Sequence, residues 1–168
     1  LRHGVSFASH LRGMYAIAIH DPDARRLVLA RDPFGIKPLY YVEAAAGFAF
    51  ASEPQALIEA GWAERSLRPA QRDELLQLQF TTGRTTVFEG VQRVLPGETL
   101  VIEAGRVVER HRLDALPRER PRRVGASEAL IELDRVLTDS VGVHQRADVP
   151  YGMFFSGGID SSVLLAMM

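Results

Sequence analysis

The sequence contains no cysteine. Disulfides, thiolate metal sites and a cysteine nucleophile are therefore excluded within these 168 residues. No apolar run approaches the ~20 residues that a membrane-spanning helix needs, and no signal peptide opens the sequence. A soluble, cytoplasmic protein is the expectation, with no membrane partner. Neither sign of charge is in excess: Lys+Arg number 20 against 21 Asp+Glu, which gives no reason to expect nucleic acid or an anionic lipid surface. The five histidines (His3, His10, His20, His111, His144) show no ligand spacing and form no triad with a nearby serine, so they are assigned no role. A start methionine is missing as well. The chain opens at Leu1 and ends at Met168, inside an expected helix, and reads as an internal piece of a larger protein.

What is present is an ordinary globular composition, 46% apolar, of a length that suits one domain or parts of two. The most informative stretch is Val149 to Leu165. Tyr151 to Phe155 is an apolar run of strand type, Ser156-Gly157-Gly158 is a turn, and Ile159 onward has no helix breaker. Strand, glycine turn and helix N-terminus together make an anion site, because glycines let the backbone approach a ligand and the free N–H groups of the first helical turn point at it. Ser156, Ser161 and Ser162 add hydroxyl donors. A Walker A loop needs a lysine that is not here, and a dinucleotide fingerprint needs a different glycine spacing. A nucleophile elbow would need glycine where Phe154 stands. The run Ser156 to Ser161 does match the S-G-G-x-D-S loop of ATP pyrophosphatases, and it resembles that loop without a break.

Along the rest of the chain, Phe7 to Leu11 reads as a helix end and Gly13 to Ile19 as a strand. Asp21-Pro22-Asp23 reads as a turn rather than a metal pair, leading into a second strand, Arg26 to Arg31. Arg31 to Pro38 is a loop held by two prolines and a glycine that presents Asp32 and Lys37. Leu39–Val42 and Phe48–Ala51 are paired strands. Ser52 is expected to cap a short helix, Glu53 to Ala60, closed by Gly61. Pro69 to Leu78 is a second helix, with Leu75, Leu76 and Leu78 on its apolar side. Phe80 to Arg84 is loop and Val87 to Val91 a short connecting element. Pro96-Gly97 is a turn, and Glu98–Ile102 with Arg106–Arg110 forms a hairpin around Ala104-Gly105. Asp114 to Ala126, with Pro117, Pro121 and four arginines, reads as a solvated linker. Ser127 is expected to cap a long helix whose stripe is Leu130, Leu133, Leu137 and Val141.

Several of these stretches, in their order, resemble the glutamine-dependent asparagine synthetase family. They are Leu11 to Ala16, Ala30 to Tyr41, Phe50 to Glu53, Thr86 to Val91, Leu95 to Gly97 and Asp148 to Ser162. The resemblance implies α+β then α/β architecture. Residues 1–113 would be the C-terminal part of an antiparallel β-sandwich glutaminase of the N-terminal-nucleophile type. Residues 114–126 would be the linker, and 127–168 the first helix, strand, loop and helix of an ATP pyrophosphatase domain. The whole enzyme would hydrolyse glutamine, adenylate the side-chain carboxylate of aspartate with ATP and Mg²⁺, and pass ammonia to it, giving asparagine. A homodimer is a possible assembly.

The resemblance carries over to named residues. Asp32 would bind the α-amino group of glutamine. Ser156, Gly157, Gly158, Asp160, Ser161 and Ser162 would hold the pyrophosphate, with Phe155 toward the adenine and Asp160 contributing to Mg²⁺. Lys37 and Glu53 match the family without a role beyond bracing the fold. The family's nucleophile, an N-terminal cysteine, would lie upstream of Leu1, so this stretch alone is expected to be inactive in both half-reactions. Two alternatives remain at this level. One is a β-lactam-forming or peptide-cyclising relative, or an amidotransferase acting on another carboxylate; the other is a non-catalytic binding or scaffold remnant.

Overall fold

A computed structural model describes residues 3–168. The chain divides into two compact units, one up to Pro117 and one from Arg118 to Met168.

The first unit opens with a short 3₁₀ helix, Gly4–His10, where the sequence suggested the end of an α-helix. Strand β1 (Ala16–Asp21) then pairs antiparallel with β2 (Arg26–Arg31), Ala16 opposite Arg31 and Asp21 opposite Arg26. β1 begins three residues later than its apolar run suggested, although the Asp32 N–H bond to the Tyr15 carbonyl, at 2.9 Å, continues the same register by one residue. The expected Asp-Pro turn forms: Asp21 Oδ1 accepts the Ala24 N–H at 3.1 Å. β2 pairs on its other side with β6 (Glu98–Glu103), which carries β7 (Arg106–Arg112). Ala104 and Gly105 both take positive φ, 47° and 77°, the two-residue turn whose twist matches paired strands. The resulting order is β1-β2-β6-β7. Its two edges differ in composition, Ala-Ile-Ala-Ile-His-Asp on β1 against Arg106, Glu109, Arg110, His111 and Arg112 on β7.

A second sheet has the order β4-β3-β5, from β3 (Tyr40–Ala44), β4 (Gly47–Ala51) and β5 (Gln92–Arg93). β5 was not foreseen. Both sheets feed one core: Leu29, Leu100 and Ile102 from the first meet Tyr41 from the second, with Leu39 and Val94 beside them. A second cluster places Leu57 of helix α1 (Pro54–Glu59) against Val42 and Val91. Ser52 does not cap α1; Glu53 takes the cap position and no side chain bonds the helix end. Helix α2 (Pro69–Leu78) has the expected bounds, with Pro69 in its first turn, where a missing N–H costs nothing. Its leucines are not buried, however, and Leu76 is 75% exposed.

The sheets are also joined by a buried ionic bridge. Glu98 of β6 is nearly inaccessible and accepts from Arg84 Nη1 at 2.9 Å, from Arg84 Nη2, and from Leu95 N–H at 2.9 Å. Arg110 of β7 approaches the same carboxylate at 3.6 Å. Arg84 and Arg110 each donate to the Tyr41 hydroxyl at 3.2 Å, and that hydroxyl donates to Gln92 Oε1 at 2.6 Å. Burial alone would lower the Arg84 pKa, but the bonds and charge of Glu98, with Tyr41, hold it above the ordinary value.

The second unit has two helices, α3 (Ala126–His144) and α4 (Ile159–Met167). Gly125 is the N-cap of α3, so Ser127 lies inside the first turn and does not cap it. Of the expected stripe, Val141 is buried, while Leu130 and Leu133 are exposed. The far end of α3 faces Tyr151 to Met153 and α4 across a cleft of about 390 Å³, lined by Val141, His144, Tyr151 and Leu164 among others. Tyr151 to Phe155 is not a strand. A strand exists only through a partner ladder, and no described segment of this unit pairs with it. No helix among the described residues is long and apolar enough to cross a membrane.

Candidate functional site

In the first unit, chemistry concentrates on the loop from Arg31 to Pro38. Two buried charges build it. The Arg31 guanidinium donates to three carbonyls: Lys37 from Nε at 2.7 Å, Val94 from Nη1 at 2.7 Å and Gly35 from Nη2 at 2.6 Å. The Asp32 carboxylate does the converse. Oδ1 accepts N–H bonds from Phe34 at 3.2 Å and Ile36 at 2.9 Å, and Oδ2 accepts from Lys37 at 2.9 Å. The Asp32 carbonyl takes two more, from Gly35 and Gly97. Adjacent side chains of opposite charge thus bond opposite halves of the Gly35–Ile36 peptide group and, beyond it, carbonyls on one side and N–H groups on the other. Gly35 sits at φ +65° in this loop, and a Cβ there would stand 2.8 Å from Pro96 Cγ.

Asp32 has no exposed surface. Both of its oxygens face backbone N–H groups, and its carboxylate is not turned to an open surface. This is the geometry of a loop organiser. Burial, first, and the Asp32 charge, second, raise the phenol pKa of Tyr15 above its usual value. Burial, followed by the charge of Arg93, pulls Arg31 below its own. The clamp by Arg31 was not foreseen; the adjacency of Arg31 and Asp32 before a Pro-x-Gly turn is the signal that could have shown it.

In the second unit, the turn from Ser156 to Ser162 has the local form of an anion loop. Gly157 is in the left-handed region, at φ +77°, and Gly158 is the N-cap of α4. Ser156 Oγ and Ser161 Oγ lie 3.0 Å apart. Ser161 and Ser162 donate to the Gly158 carbonyl at 3.0 and 2.8 Å. Ser156, Gly157, Gly158, Asp160 and Ser162 are exposed, and Ser161 is half-buried. Asp160 occupies the first turn of α4, where a carboxylate favours the positive end of the helix. Phe155, immediately before the loop, is 55% exposed. Among the described residues no group of three or more metal-ligating side chains assembles. A single carboxylate such as Asp160 suits a Mg²⁺ ion that takes its remaining ligands from phosphate oxygens and water.

Residues 1–112 match the glutamine amidotransferase domain. The chain belongs to that family. Residues 132–168 match asparagine synthase, so the two matches follow one another as they do in the glutamine-dependent asparagine synthetase family, to which the first sequence reading pointed. Among known relatives, asparagine synthetase (glutamine-hydrolyzing) 1 of Bacillus subtilis is 35% identical over 161 residues, which is 95% of this chain and 25% of that protein. Amidase chry2 of Gibberella zeae is 34% identical over 173 residues, 99% of this chain and 25% of its own length. Asparagine synthetase (glutamine-hydrolyzing) 2 of B. subtilis is 34% identical, over 96% and 23%. The chain thus spans about a quarter of the length of the curated relatives it matches. Within the amidotransferase match lie both sheets and the clamped loop; within the synthase match lie most of α3, the anion loop and α4.

Proposed function

We propose that this chain is part of a glutamine-dependent amidotransferase that activates a carboxylate with ATP, with aspartate as the acceptor and asparagine as the product. The observation that carries the reading is the order of the two family matches, an amidotransferase domain followed by a synthase segment that ends on an S-G-G-x-D-S loop. On this reading the first unit belongs to a β-sandwich glutaminase and the second opens an α/β ATP pyrophosphatase domain.

The chemistry fits the groups available. A carboxylate is a poor acyl donor until one oxygen becomes a good leaving group. In the proposed reaction an aspartate side-chain oxygen attacks the α-phosphorus of ATP, the bond from that phosphorus to the bridging oxygen breaks, and pyrophosphate leaves. Ammonia released from glutamine then adds to the acyl carbon and loses a proton, and the bond to the AMP oxygen breaks. Ser156, Gly157, Gly158, Ser161 and Ser162 would hold the leaving pyrophosphate through hydroxyls and the N–H groups at the start of α4. Asp160 would help hold Mg²⁺, which neutralises charge on the phosphate oxygens. Phe155 would lie toward the adenine. Asp32 is assigned to holding its loop.

The test is ATP–pyrophosphate exchange by the full-length protein with aspartate, followed by transfer of ¹⁸O from labelled aspartate into AMP. Exchange that depends on aspartate, with label in AMP, supports the reading; no exchange with any carboxylate refutes it. A second acceptor class is favoured by one finding: an amidase relative is as similar to this chain as the asparagine synthetases are. Exchange driven by another carboxylate and not by aspartate would select that class.

A further inference from the structure

The chain has one lysine, Lys37. Both polar groups of its backbone are pinned by charged side chains. Its N–H is fixed by the Asp32 carboxylate at 2.9 Å and its carbonyl by the Arg31 guanidinium at 2.7 Å, both charge-assisted bonds with buried partners. The side chain itself is exposed, and its ammonium has no hydrogen bond or ion pair among the described residues. Lys37 lines a groove of about 390 Å³ with Pro38, Ser52 and the run Met14, Tyr15 and Ala16. The Ser52 hydroxyl, freed from the capping role its position suggested, has no partner among the described residues either. The Tyr15 hydroxyl donates only weakly, to the Ala8 carbonyl at 3.3 Å.

We propose that this groove is a binding site for a small carboxylate, with the Lys37 ammonium as its cation and the Ser52 and Tyr15 hydroxyls as its polar rim. Three observations select the ligand class. No acidic side chain lines the groove, and the nearest carboxylate, Asp32, is turned into backbone, so the charge of Lys37 is left for an incoming anion. The loop offers no array of free N–H groups, because those of Ile36 and Lys37 already bond to Asp32; a phosphate dianion would need such an array, whereas one cation with two hydroxyls matches a monoanion. The volume lies within the ~300–1,000 Å³ range of small-molecule sites, which accommodates a molecule of amino-acid size. Met14 and Pro38 supply apolar walls for a short carbon chain. The site does not depend on the acceptor or on ATP use.

The experiment uses the full-length protein with its lysines isotopically labelled at the ε-carbon, where the resonance absent from K37M identifies Lys37. Glutamate is the probe and inorganic phosphate the comparison. Glutamate should move the Lys37 resonance saturably. Losing a charge-assisted contact should weaken glutamate binding about tenfold or more in K37M, with K37R retaining most of it. S52A should weaken it by a smaller factor. A Lys37 resonance that glutamate does not move, or moves without saturation, overturns the proposal. Equal binding by K37M and wild type overturns it too, and tighter binding of phosphate than of glutamate shows that the ligand class is wrong. These readouts do not need turnover, so a protein that hydrolyses no glutamine would refute the proposed function and leave this test intact.

Discussion

Replacing Asp32 by asparagine separates a loop organiser from a ligand-binding acid. The substitution keeps the shape and removes the charge. In the folded protein Oδ1 takes the N–H groups of Phe34 and Ile36, and Oδ2 takes that of Lys37. An asparagine can present only one oxygen. If it faces Phe34 and Ile36, its NH₂ group meets the Lys37 N–H donor to donor. That leaves a buried N–H unsatisfied, a cost of about 1–3 kcal/mol. The two retained bonds change from charge-assisted to neutral, which removes about 1 kcal/mol each. The side chain has no exposed surface through which water could compensate. The expected loss is therefore roughly 3–5 kcal/mol, read by urea unfolding of the wild type and D32N with a common m-value. Hydrogen exchange should accelerate at Ile36 and Lys37 before it does in β2. An unchanged midpoint together with a large rise in KM for glutamine would refute this reasoning and restore Asp32 as the ligand for an amine.

Other perturbations follow from the same geometry. E98Q leaves Arg84 facing a neutral amide beside the buried Tyr41 hydroxyl; because Arg84 is a quarter exposed and can recruit water, the expected cost is about 3 kcal/mol, the low end for breaking a buried pair, and a double-mutant cycle with R84M should show strong coupling in thermal denaturation. The Glu74 carboxyl is held below its ordinary 4.5 by the Thr82 hydroxyl and N–H, so its contribution to stability is complete above that value and is lost as pH falls through the lower folded pKa; T82V should move the Glu74 carboxyl resonance back toward 4.5 in an NMR titration. S161A in the full-length protein should depress ATP–pyrophosphate exchange more than it depresses glutamine hydrolysis, and an equal loss in both assays would deny the Ser156–Ser161 pair a role at phosphate.

Local chemistry was most legible where it acts alone. The β6–β7 hairpin is written in Ala104-Gly105 between alternating runs, and α2 in Pro69 at one end and unbroken helix formers to Leu78. Strand β5 was not legible, since two residues carry no period and Gln92–Arg93 is defined by pairing with Tyr40 and Tyr41. The run Tyr151 to Phe155 shows the reverse error, strand propensity without a ladder to join. Ser52 and Ser127 are good capping residues that sit one and two positions away from the caps actually used, because the helix start is set by neighbouring backbone geometry. The S-G-G-x-D-S turn was visible as a string, since its local form depends on consecutive residues. The clamp was only half visible. Its residues could be seen to form a rigid loop, but nothing in the string shows that Asp32 is wholly buried with both oxygens on backbone N–H groups.

The contrast between the two edges of the larger sheet gives that sheet a direction of growth. An incoming strand meets alternating alanine and isoleucine along β1, backbone groups that can be paired without displacing charge. Along β7 it meets arginine, glutamate and histidine, which make the edge a poor template. Anything that lengthens this sheet, whether a neighbouring stretch of polypeptide or a designed peptide, will therefore join beside Ala16 to Ile19, and a grafted tag or inserted loop is better tolerated at the opposite margin.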